Sequence, residues 1–348
     1  MANPDQTSPA SRPPAQLIDP FGRRLHYLRL SVTDRCNLRC GYCMPKEGVT
    51  KLPHAEILSL EELARVGRVA VGLGVDKIRL TGGEPLIRRD LPVLLESLAA
   101  LRPRPDLRLT SNGILLAEQL DRLAAAGLGA VNISLDTLRP GRYGAITGLG
   151  PEEGRQAFAQ VWRGIAAALA RPGFTVKLNV VLLGGVNQDE LADFAALTLT
   201  RRLAVRFIEY MPVGRGKRFA RERFLPADQA LAAAAGLGEL TELPRRPGDG
   251  PARRFAIAGA AGELGVIHAL SNHFCASCNR LRLSAEGRVV PCLFSEGGVD
   301  IKALLRGGAD DAGLAQALIT AAALKPQRHQ QSSQSQSPGG CAMSRLGG

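Results

Sequence analysis

Apolar and polar positions follow two alternating periods along the first two thirds of the chain. Short runs rich in β-branched and aliphatic residues recur, and each is followed by a turn and a longer stretch in which apolar residues return every three to four positions. The short runs predict strands, and the longer stretches predict helices. The predicted strands lie at 27–32, 76–80, 106–110, 130–136, 175–183 and 204–210, and the predicted helices at 58–74, 90–102, 115–127, 152–170 and 187–202. Strands that alternate with helices indicate a parallel sheet with right-handed crossovers.

Two parallel architectures fit this alternation, an open doubly wound sheet and a βα barrel. The polar motifs TGGEP, TSNG, SLDT and EYMPVG each lie at or just after the C-terminal end of a different predicted strand. A barrel gathers such ends around one mouth, whereas an open sheet concentrates its site at one switch point. The predicted fold is therefore α/β, a partial (βα)6 barrel of the TIM type.

The regular pattern ends near residue 215. Short β segments follow around 264–270, 280–284 and 288–294, and a helix is predicted near 311–324. Both ends of the chain have compositions typical of disorder, Pro/Ser/Ala-rich at the start and Gln/Ser-rich near the end. We therefore predict four regions: a disordered segment (1–20), the barrel (21–215), a smaller α+β domain (216–325) and a flexible tail (326–348) that ends in Gly-Gly.

The chain is strongly basic. Its 348 residues carry a net charge of +12, and 37 of the 44 basic residues are arginines. The arginine guanidinium fits phosphate oxygens, which favours nucleotides or nucleic acid as partners, although a solvated basic surface also explains the charge. Only 4% of residues are aromatic, which is few for a single-strand binder. The sequence shows neither a secretory leader nor a membrane-spanning apolar run, so a cytoplasmic protein without a membrane partner is expected.

Six of the seven cysteines form two sets of three. They are Cys36, Cys40 and Cys43 after the first predicted strand, and Cys275, Cys278 and Cys292 nearer the C-terminus. Clustered thiols in a reducing compartment indicate metal sites rather than disulfides. A structural zinc site needs four closed ligands, whereas three cysteines on a four-iron cluster leave one iron open to a small molecule. For the second set, zinc with a histidine such as His273, or one binuclear site pooled with the first set, stays open. The seventh cysteine, Cys341, lies in the tail and is expected to be a bystander.

At this point the residues carry a family resemblance. The cysteine spacing of CNLRCGYC (36–43), with an aromatic residue before the last cysteine, resembles the radical S-adenosylmethionine (SAM) superfamily, and TGGEP (81–85) resembles its motif for the SAM amino group. The stretch CASCNRLRLSAEGRVVPCLF (275–294) and the terminal Gly-Gly are similar to one family within it, the GTP 3′,8-cyclases of molybdenum cofactor biosynthesis. The resemblance runs from about residue 21 to 325 and resumes at the last six residues.

The resemblance implies a lyase with two [4Fe-4S] clusters, one on each cysteine set, and SAM as cofactor. It implies conversion of GTP to 3′,8-cyclo-7,8-dihydroguanosine 5′-triphosphate while SAM is cleaved to methionine and 5′-deoxyadenosine. This reaction is the first step of molybdenum cofactor biosynthesis. The partners we expect are an electron donor such as a flavodoxin or ferredoxin, and the next pathway enzyme, cyclic pyranopterin monophosphate synthase. A homodimer is compatible with these expectations, and no nucleic-acid partner is expected.

The resemblance also assigns residues to ligands. The SAM-binding positions correspond to Tyr42, Gly83, Ser134 and Met211. The GTP-binding positions correspond to Arg29, Arg79, Thr110, Lys177, Arg280 and Arg282. The catalytic positions correspond to Arg280, Arg282, Gly347 and Gly348. In addition, the alternation of TVKLNVV (175–181) places Lys177 in the barrel lumen, where a buried cation requires an anion.

Several of these residues also fit structural roles. Gly83 suits a plain strand-to-helix turn, Met211 suits core packing, and Arg29 and Arg79 suit ion pairs with acidic residues that follow their strands. Two other classes of protein remain open. A peptide-modifying radical SAM maturase usually has more C-terminal cysteines, and a non-enzymatic zinc or Fe–S nucleic-acid binder leaves TGGEP and the arrangement of motifs at a barrel mouth unexplained.

Overall fold

The computed structural model describes residues 16–44, 48, 50–211, 213, 223–246, 248–295, 297–329 and 343–346. The first six strands are β1 Tyr27–Ser31, β2 Lys77–Thr81, β3 Asp106–Ser111, β4 Ala130–Ser134, β5 Thr175–Leu182 and β6 Ala204–Glu209. The helices that follow them are α1 Leu60–Gly72, α2 Leu91–Ala99, α3 Leu116–Ala125, α4 Pro140–Thr147, α5 Pro151–Ala170 and α6 Leu191–Thr200. All except α4 match predicted elements to within a few residues. The sequence gives little helical signal for α4, because two of its eight residues are glycines and it is short.

These six strands pair in chain order and in parallel. Apolar side chains such as Leu28, Leu30 and Ile78 point outward and are buried under the helices. The alternate positions are largely polar, so they form the inner face of a curved sheet. The predicted partial (βα)6 barrel is therefore confirmed.

The C-terminal part of the chain continues the same sheet at both edges. Its elements are α7 Asp228–Ala235, β7 Leu240–Leu243, β8 Arg253–Ile257, β9 Glu263–Ile267, β10 Arg280–Leu283, β11 Arg288–Val290, β12 Val299–Asp300, α8 Ile301–Arg306, α9 Asp311–Ala323 and α10 Met343–Leu346. Strand β10 joins β1 in parallel, and β9 joins β6 in parallel. The remaining strands are antiparallel, with β11 and β12 beyond β10, and β8 and β7 beyond β9. The lumen is thus walled by eight parallel strands.

Local contacts fix the ends of these elements. Helix α1 begins at a capping box in which the Ser59 hydroxyl accepts from the Glu62 N–H (3.1 Å) and the Glu62 carboxylate accepts from the Ser59 N–H (2.7 Å). Helix α9 is anchored to α1 by the ion pair of Arg65 with Asp311 (2.9 Å). Leu346 in α10 is fully buried in a small apolar cluster apart from the main core. In the part of the chain that is described, no helix is both long and apolar enough to span a bilayer.

Candidate active site

Glu84 joins the loops that follow β1, β2 and β3. Its fully buried carboxylate accepts hydrogen bonds from the Leu86 N–H (2.9 Å), the Asn112 N–H (2.7 Å) and the Ser111 hydroxyl (2.9 Å). The side chain of Asn112 donates in turn to Asn37, inside the first cysteine loop (2.7 Å). Burial raises the pKa of Glu84 to about 7 in spite of its donors. TGGEP and TSNG are therefore fixed together beside the cysteine loop.

The first cysteine set lies on the loop after β1. Cys36, Cys40 and Cys43 are partly exposed free thiols, and the Cys43 N–H donates to the Cys40 carbonyl (2.9 Å). Burial raises the pKa of Cys36 to about 11 and that of Cys43 to about 12, and the Cys36 thiol adds to the rise at both Cys40 and Cys43. The three thiols therefore lie close together. Coordination by a metal would reverse the shift, because a coordinated thiol is deprotonated.

The glycines of TGGEP let β2 end directly beneath this loop. A Cβ added to Gly83 would lie 2.2 Å from the carbonyl oxygen of Arg35, and one added to Gly82 would lie 2.6 Å from that of Thr33. The Gly83 N–H donates to the Thr33 carbonyl (2.8 Å). Gly83 therefore has a packing requirement in addition to the SAM-binding position that the resemblance assigns to it.

The other SAM-assigned residues lie at the ends of different strands. Tyr42 donates its hydroxyl to Asp136 (2.7 Å), just after β4, and packs edge-on against Tyr210 with ring centroids 6.4 Å apart. Asp136 also accepts from the Val181 N–H (2.8 Å), and burial raises its pKa to about 6. Ser134 is the last residue of β4. Met211 follows β6, and packs against the apolar cluster that holds Leu346, as well as lining the central cavity.

The inner face of the strands encloses an open cavity with about 1150 Å³ of empty space. Its lining includes eight cationic side chains: Arg29, Lys77, Arg79, Arg108, Arg206, Arg280, Arg282 and Lys325. Thr110, Asn132 and Asn179 add neutral polar groups. The Oδ1 atoms of Asn132 and Asn179 are buried and accept no hydrogen bond from any described residue. The cavity therefore suits a polyanion that also carries hydrogen-bond donors.

Sequence reasoning found five of these eleven polar lining residues. Arg29, Arg79, Thr110, Arg280 and Arg282 are all in the cavity wall. Lys177 shares the inner face through its pairing with Asn132, but it is not among the residues that line the cavity. Burial, together with neighbouring arginines, lowers the pKa of Lys177 to about 7.

Lys77, Arg108, Arg206 and Lys325 were missed. For the three strand residues the signal lay in the alternation, because Arg108 and Arg206 are each flanked by apolar residues and Lys77 is two positions before Arg79. The strand register confirms that Arg108 and Arg206 point to the inner face, since Arg79 is paired with Arg108 and Asn179 with Arg206. Three further cations therefore join the inner face.

Arg79 is oriented by three neutral acceptors within the lumen. It donates to the Leu109 carbonyl (2.9 Å), the Thr110 hydroxyl (3.3 Å) and the Tyr27 hydroxyl (2.5 Å). Burial of Tyr27 opposes its ionisation, but Arg79 and Arg29 outweigh burial and lower the Tyr27 pKa to about 7. The positive charge of the lumen therefore favours ionisation of the Tyr27 phenol.

The second cysteine set lies at the opposite end of the strands. Cys275 and Cys278 precede β10, which runs parallel to β1, and Cys292 follows β11, which is antiparallel to β10. All three line the cavity. The first set follows the C-terminal end of β1, a strand of five residues that spans about 16 Å. The basic lumen therefore lies between the two sets.

Charge differs between the two sets. Burial opposes ionisation of Cys278, but Arg280 and Lys325 outweigh it and lower the Cys278 pKa to about 6. Arg280 contacts the Cys278 sulfur (3.8 Å) and stacks on Phe274, with its guanidinium carbon 4.7 Å from the ring centroid. The first set has carboxylates nearby instead, with Asp136 raising the pKa of Cys40.

Both sets fit a cluster better than a single ion. Within the described ranges, no three His, Cys, Asp or Glu side chains converge as the ligands of one ion would. A zinc site requires that convergence, because its ligands share one metal, whereas cysteines on different irons of a cluster do not. Among the described residues each set offers three thiols, which fits a four-iron cluster with one iron left open.

Comparisons with known proteins agree with this geometry. Residues 30–198 match the family model of the radical SAM superfamily, and residues 203–331 match that of Molybdenum Cofactor Synthesis C. The GTP 3′,8-cyclase of Heliobacterium modesticaldum is 48% identical over 314 residues, covering 90% of this chain and 94% of that protein. The chain belongs to the GTP 3′,8-cyclase family. The GTP 3′,8-cyclase of Geobacter sulfurreducens is 46% identical over 333 residues, covering 96% of this chain and 100% of that protein.

Solved structures share the fold at low sequence identity. Streptococcus suis SuiB bound to S-adenosylmethionine superimposes with a TM-score of 0.51 at 15% identity, and SuiB bound to the precursor peptide SuiA with 0.53 at 15%. The matched regions cover 78% and 87% of this chain but only 61% and 65% of SuiB. This likeness concerns the fold alone.

Membership of the family confirms several predictions made from the sequence. The protein is a radical SAM enzyme, and its cofactors are SAM and two [4Fe-4S] clusters. The individual ligands of those groups stay predictions. Gly347, Gly348 and Cys341 lie outside the described residues.

Proposed function

We propose that this protein converts GTP to 3′,8-cyclo-7,8-dihydroguanosine 5′-triphosphate while SAM is cleaved to 5′-deoxyadenosine and methionine, as the first step of molybdenum cofactor biosynthesis. One observation carries the proposal: a cavity lined by eight cations lies between two three-cysteine sites. A nucleoside triphosphate is a polyanion with donor groups on its base and ribose, which are the features that this lining accepts.

The chain's own residues bind and orient the substrate. Arg29, Arg79 and Thr110 contribute charge-assisted and neutral hydrogen bonds from neighbouring strands, and Lys177 adds charge to the same face. Arg280 and Arg282 project from β10 beside the second cysteine set, where they would hold the base against it. Asn132 and Asn179 offer buried acceptors to ribose or base donors. Holding the reacting atoms in one geometry and excluding water is the main contribution of such a protein to radical chemistry.

At the mouth, Cys36, Cys40 and Cys43 would hold the first cluster, and its open iron would receive SAM. When bound, the cluster and SAM supply the electron and the radical chemistry of the reaction. Tyr42, Gly83, Ser134 and Met211 would line the SAM site. Tyr42 is held in place by its hydrogen bond to Asp136 and its packing on Tyr210.

At the far end of the lumen, Cys275, Cys278 and Cys292 would hold the second cluster. The terminal Gly347 and Gly348 would reach the mouth of the barrel and complete the substrate site. The course of α10 supports this role, because Leu346 is buried beside Met211 and its carbonyl accepts from the Thr81 hydroxyl at the end of β2 (3.4 Å).

We also propose the wider context of the enzyme. It would act in the cytoplasm as a barrel (21–215) with a C-terminal cluster-binding part (216–325), a division supported by family-model boundaries at 198 and 203. A flavodoxin or ferredoxin would supply electrons, and cyclic pyranopterin monophosphate synthase would receive the product. A homodimer is part of this proposal.

The deciding experiment is anaerobic incubation of the fully loaded enzyme with GTP, SAM and dithionite, followed by mass analysis of the nucleotide and of 5′-deoxyadenosine. Conversion of GTP to an isomeric cyclised triphosphate is expected. An unchanged GTP pool, in protein shown to contain both clusters and to cleave SAM, would contradict the proposal. Modification of a supplied peptide instead would favour a maturase.

A further inference from the structure

A five-residue segment that begins two residues after the end of α9 contacts every segment of the second cysteine site. This segment, 325–329, runs past the cysteines after α9 has ended at Ala323. Its members reach Cys275, the strand after Cys278, and the residue before Cys292. No sequence motif marks the segment, and the family resemblance assigned it no role.

Lys325 ties two of the three cysteine-bearing segments together. Its side chain is buried, and Nζ donates to the Arg280 carbonyl (2.8 Å) and the Pro291 carbonyl (2.6 Å). Arg280 is two residues beyond Cys278, and Pro291 immediately precedes Cys292. One ammonium group therefore fixes the spacing between β10 and the end of β11, on which those cysteines depend.

The third cysteine is tied to the same segment by Arg23. This arginine donates to the Cys275 carbonyl (2.7 Å), and also to the carbonyls of Pro326 (2.6 Å) and Gln327 (2.9 Å). Its guanidinium is held by an ion pair with the buried Asp19 (2.5 Å). Arg23, which precedes β1, thus holds the loop that carries Cys275 against the 325–329 segment.

His329 closes the far end of the segment. Its backbone N–H lies near the Cys275 thiol and opposes the rise that burial causes in the pKa of that thiol. Its ring packs on Phe294 with centroids 4.6 Å apart, and its Nε2 lies 3.1 Å from the Ala269 carbonyl oxygen. The 325–329 segment is therefore held at both ends, so Lys325 is presented in a fixed position.

A buried ammonium needs a counter-charge as well as acceptors. Carbonyl oxygens satisfy the donors of Lys325 but carry no net charge, so its burial is costly unless an anion lies close. Burial lowers the pKa of Lys325, and Cys278 and Cys292 oppose that effect. Three thiolates on an iron–sulfur cluster would supply the anion.

We propose that Lys325 is a positioning residue of the second cluster: it fixes the spacing of Cys278 and Cys292 and places a positive charge beside their sulfurs. The inference depends on the proposed function only in that the second cysteine set binds a cluster. Two consequences follow. Removal of a group that orients a metal ligand typically changes metal affinity about 10- to 100-fold. A fixed cation favours the more negative reduced state of a cluster, so it raises the reduction potential.

The test compares Lys325→Met, which keeps the length and packing of the side chain but removes its charge and donors, with Lys325→Arg, which keeps the charge. Lys302→Met is the matched control, because Lys302 pairs with Glu56 on the surface of α8. Each full-length protein is loaded anaerobically, its irons are counted, and its iron release to a ferrous chelator is timed. The potential of the second cluster is measured by an EPR-monitored redox titration in chains that also carry Cys36→Ala.

Lys325→Met should release the iron of its second cluster about 10- to 100-fold faster than the unchanged protein. Its first cluster should release iron at the ordinary rate, which also shows that the barrel is folded. The remaining second cluster should have a lower potential, which Lys325→Arg should restore toward the original value. Unchanged release and unchanged potential in Lys325→Met would overturn the proposal, as would equal effects in Lys302→Met. Absence of iron from the second site of the unchanged protein would instead refute the proposed function.

Discussion

Replacing Leu346 with alanine tests whether the docked C-terminal helix is needed for cyclisation. Leu346 is fully buried among Val213, Val290 and Leu293, in a cluster separate from the main core. Leu346 directly precedes Gly347 in the sequence, so under the proposed function this cluster would be the anchor that brings the two glycines to the substrate site. Weakening the anchor should release the tail without unfolding the enzyme.

The size of the effect follows from the carbons removed. Leu→Ala deletes three buried carbon groups at about 0.8 kcal/mol each, which is about 2.4 kcal/mol. Because about 1.4 kcal/mol corresponds to a tenfold change, the ratio of docked to undocked tail should fall about fifty-fold. Iron content and the midpoint of thermal unfolding should stay unchanged, because the main core loses no contact.

The assay measures cyclised nucleotide and 5′-deoxyadenosine in the same anaerobic reaction. Leu346→Ala should form much less cyclised product for each SAM cleaved, since the substrate site is incomplete while the first cluster is intact. Leu324→Ala is the matched control, because it deletes the same three groups from a side chain that is 57% exposed. A chain lacking Gly347 and Gly348 should reproduce the Leu346→Ala result.

Two outcomes would refute this reasoning. Unaltered yield and coupling in Leu346→Ala would mean that docking of the tail does not contribute to cyclisation. An impaired Leu346→Ala beside a fully active chain without the two glycines would assign the effect to α10 itself, and would remove the glycines from the proposed site.

Three further predictions concern the clusters, the lumen and the mouth. Reconstitution should load about eight irons per chain, and Cys36→Ala or Cys275→Ala about half as many; four irons in the unchanged protein, with zinc at the second site, would contradict the assignment of a cluster to the second set. GTP affinity should fall about fivefold from pH 7 to pH 8. The pKa of Lys177 is about 7 in the free protein, and a bound triphosphate would raise it, so binding takes up a proton. Protons are scarcer at pH 8, and binding is therefore weaker there. Calorimetry should show a flatter profile for Lys177→Met, and an equally steep one would disprove the linkage. Gly83→Ala should lower iron at the first cluster, measured as irons per chain, because its Cβ collides with the cysteine loop, whereas Gly72→Ala, which has open space, should not.

Local patterns were enough to predict the repeating part of the fold and much of the site. Strand alternation and helical periodicity are properties of adjacent residues, so β1 to β6 could be located within a few positions. The spacing of Cys36, Cys40 and Cys43 is equally local, and it pointed to a cluster with an open iron. By the same alternation, Lys77 and Arg206 could have been assigned to the lumen together with Arg79.

Contacts between distant parts of the chain could not be predicted in this way. The short segments after residue 215 gave no sign that β9 and β10 would join opposite edges of the barrel sheet, because the pairing of strands far apart in sequence depends on the whole set of competing edges. That pairing places Arg280 beside Tyr27 and brings the second cysteine set to the lumen.

By itself, therefore, the sequence determined the secondary structure of the barrel, the two cysteine sets and the family to which the chain belongs, since all of these are encoded in short range patterns. Only the tertiary structure decided that the cations of β10 share one cavity with those of the first six strands, that Glu84 joins the loops at the mouth, and that Lys325 and Leu346 are buried. The physical reason is that burial and charge compensation depend on neighbours supplied by other strands and by the end of the chain. The residues adjacent to a lysine or leucine near a polar tail do not show which distant neighbours will bury it or compensate its charge.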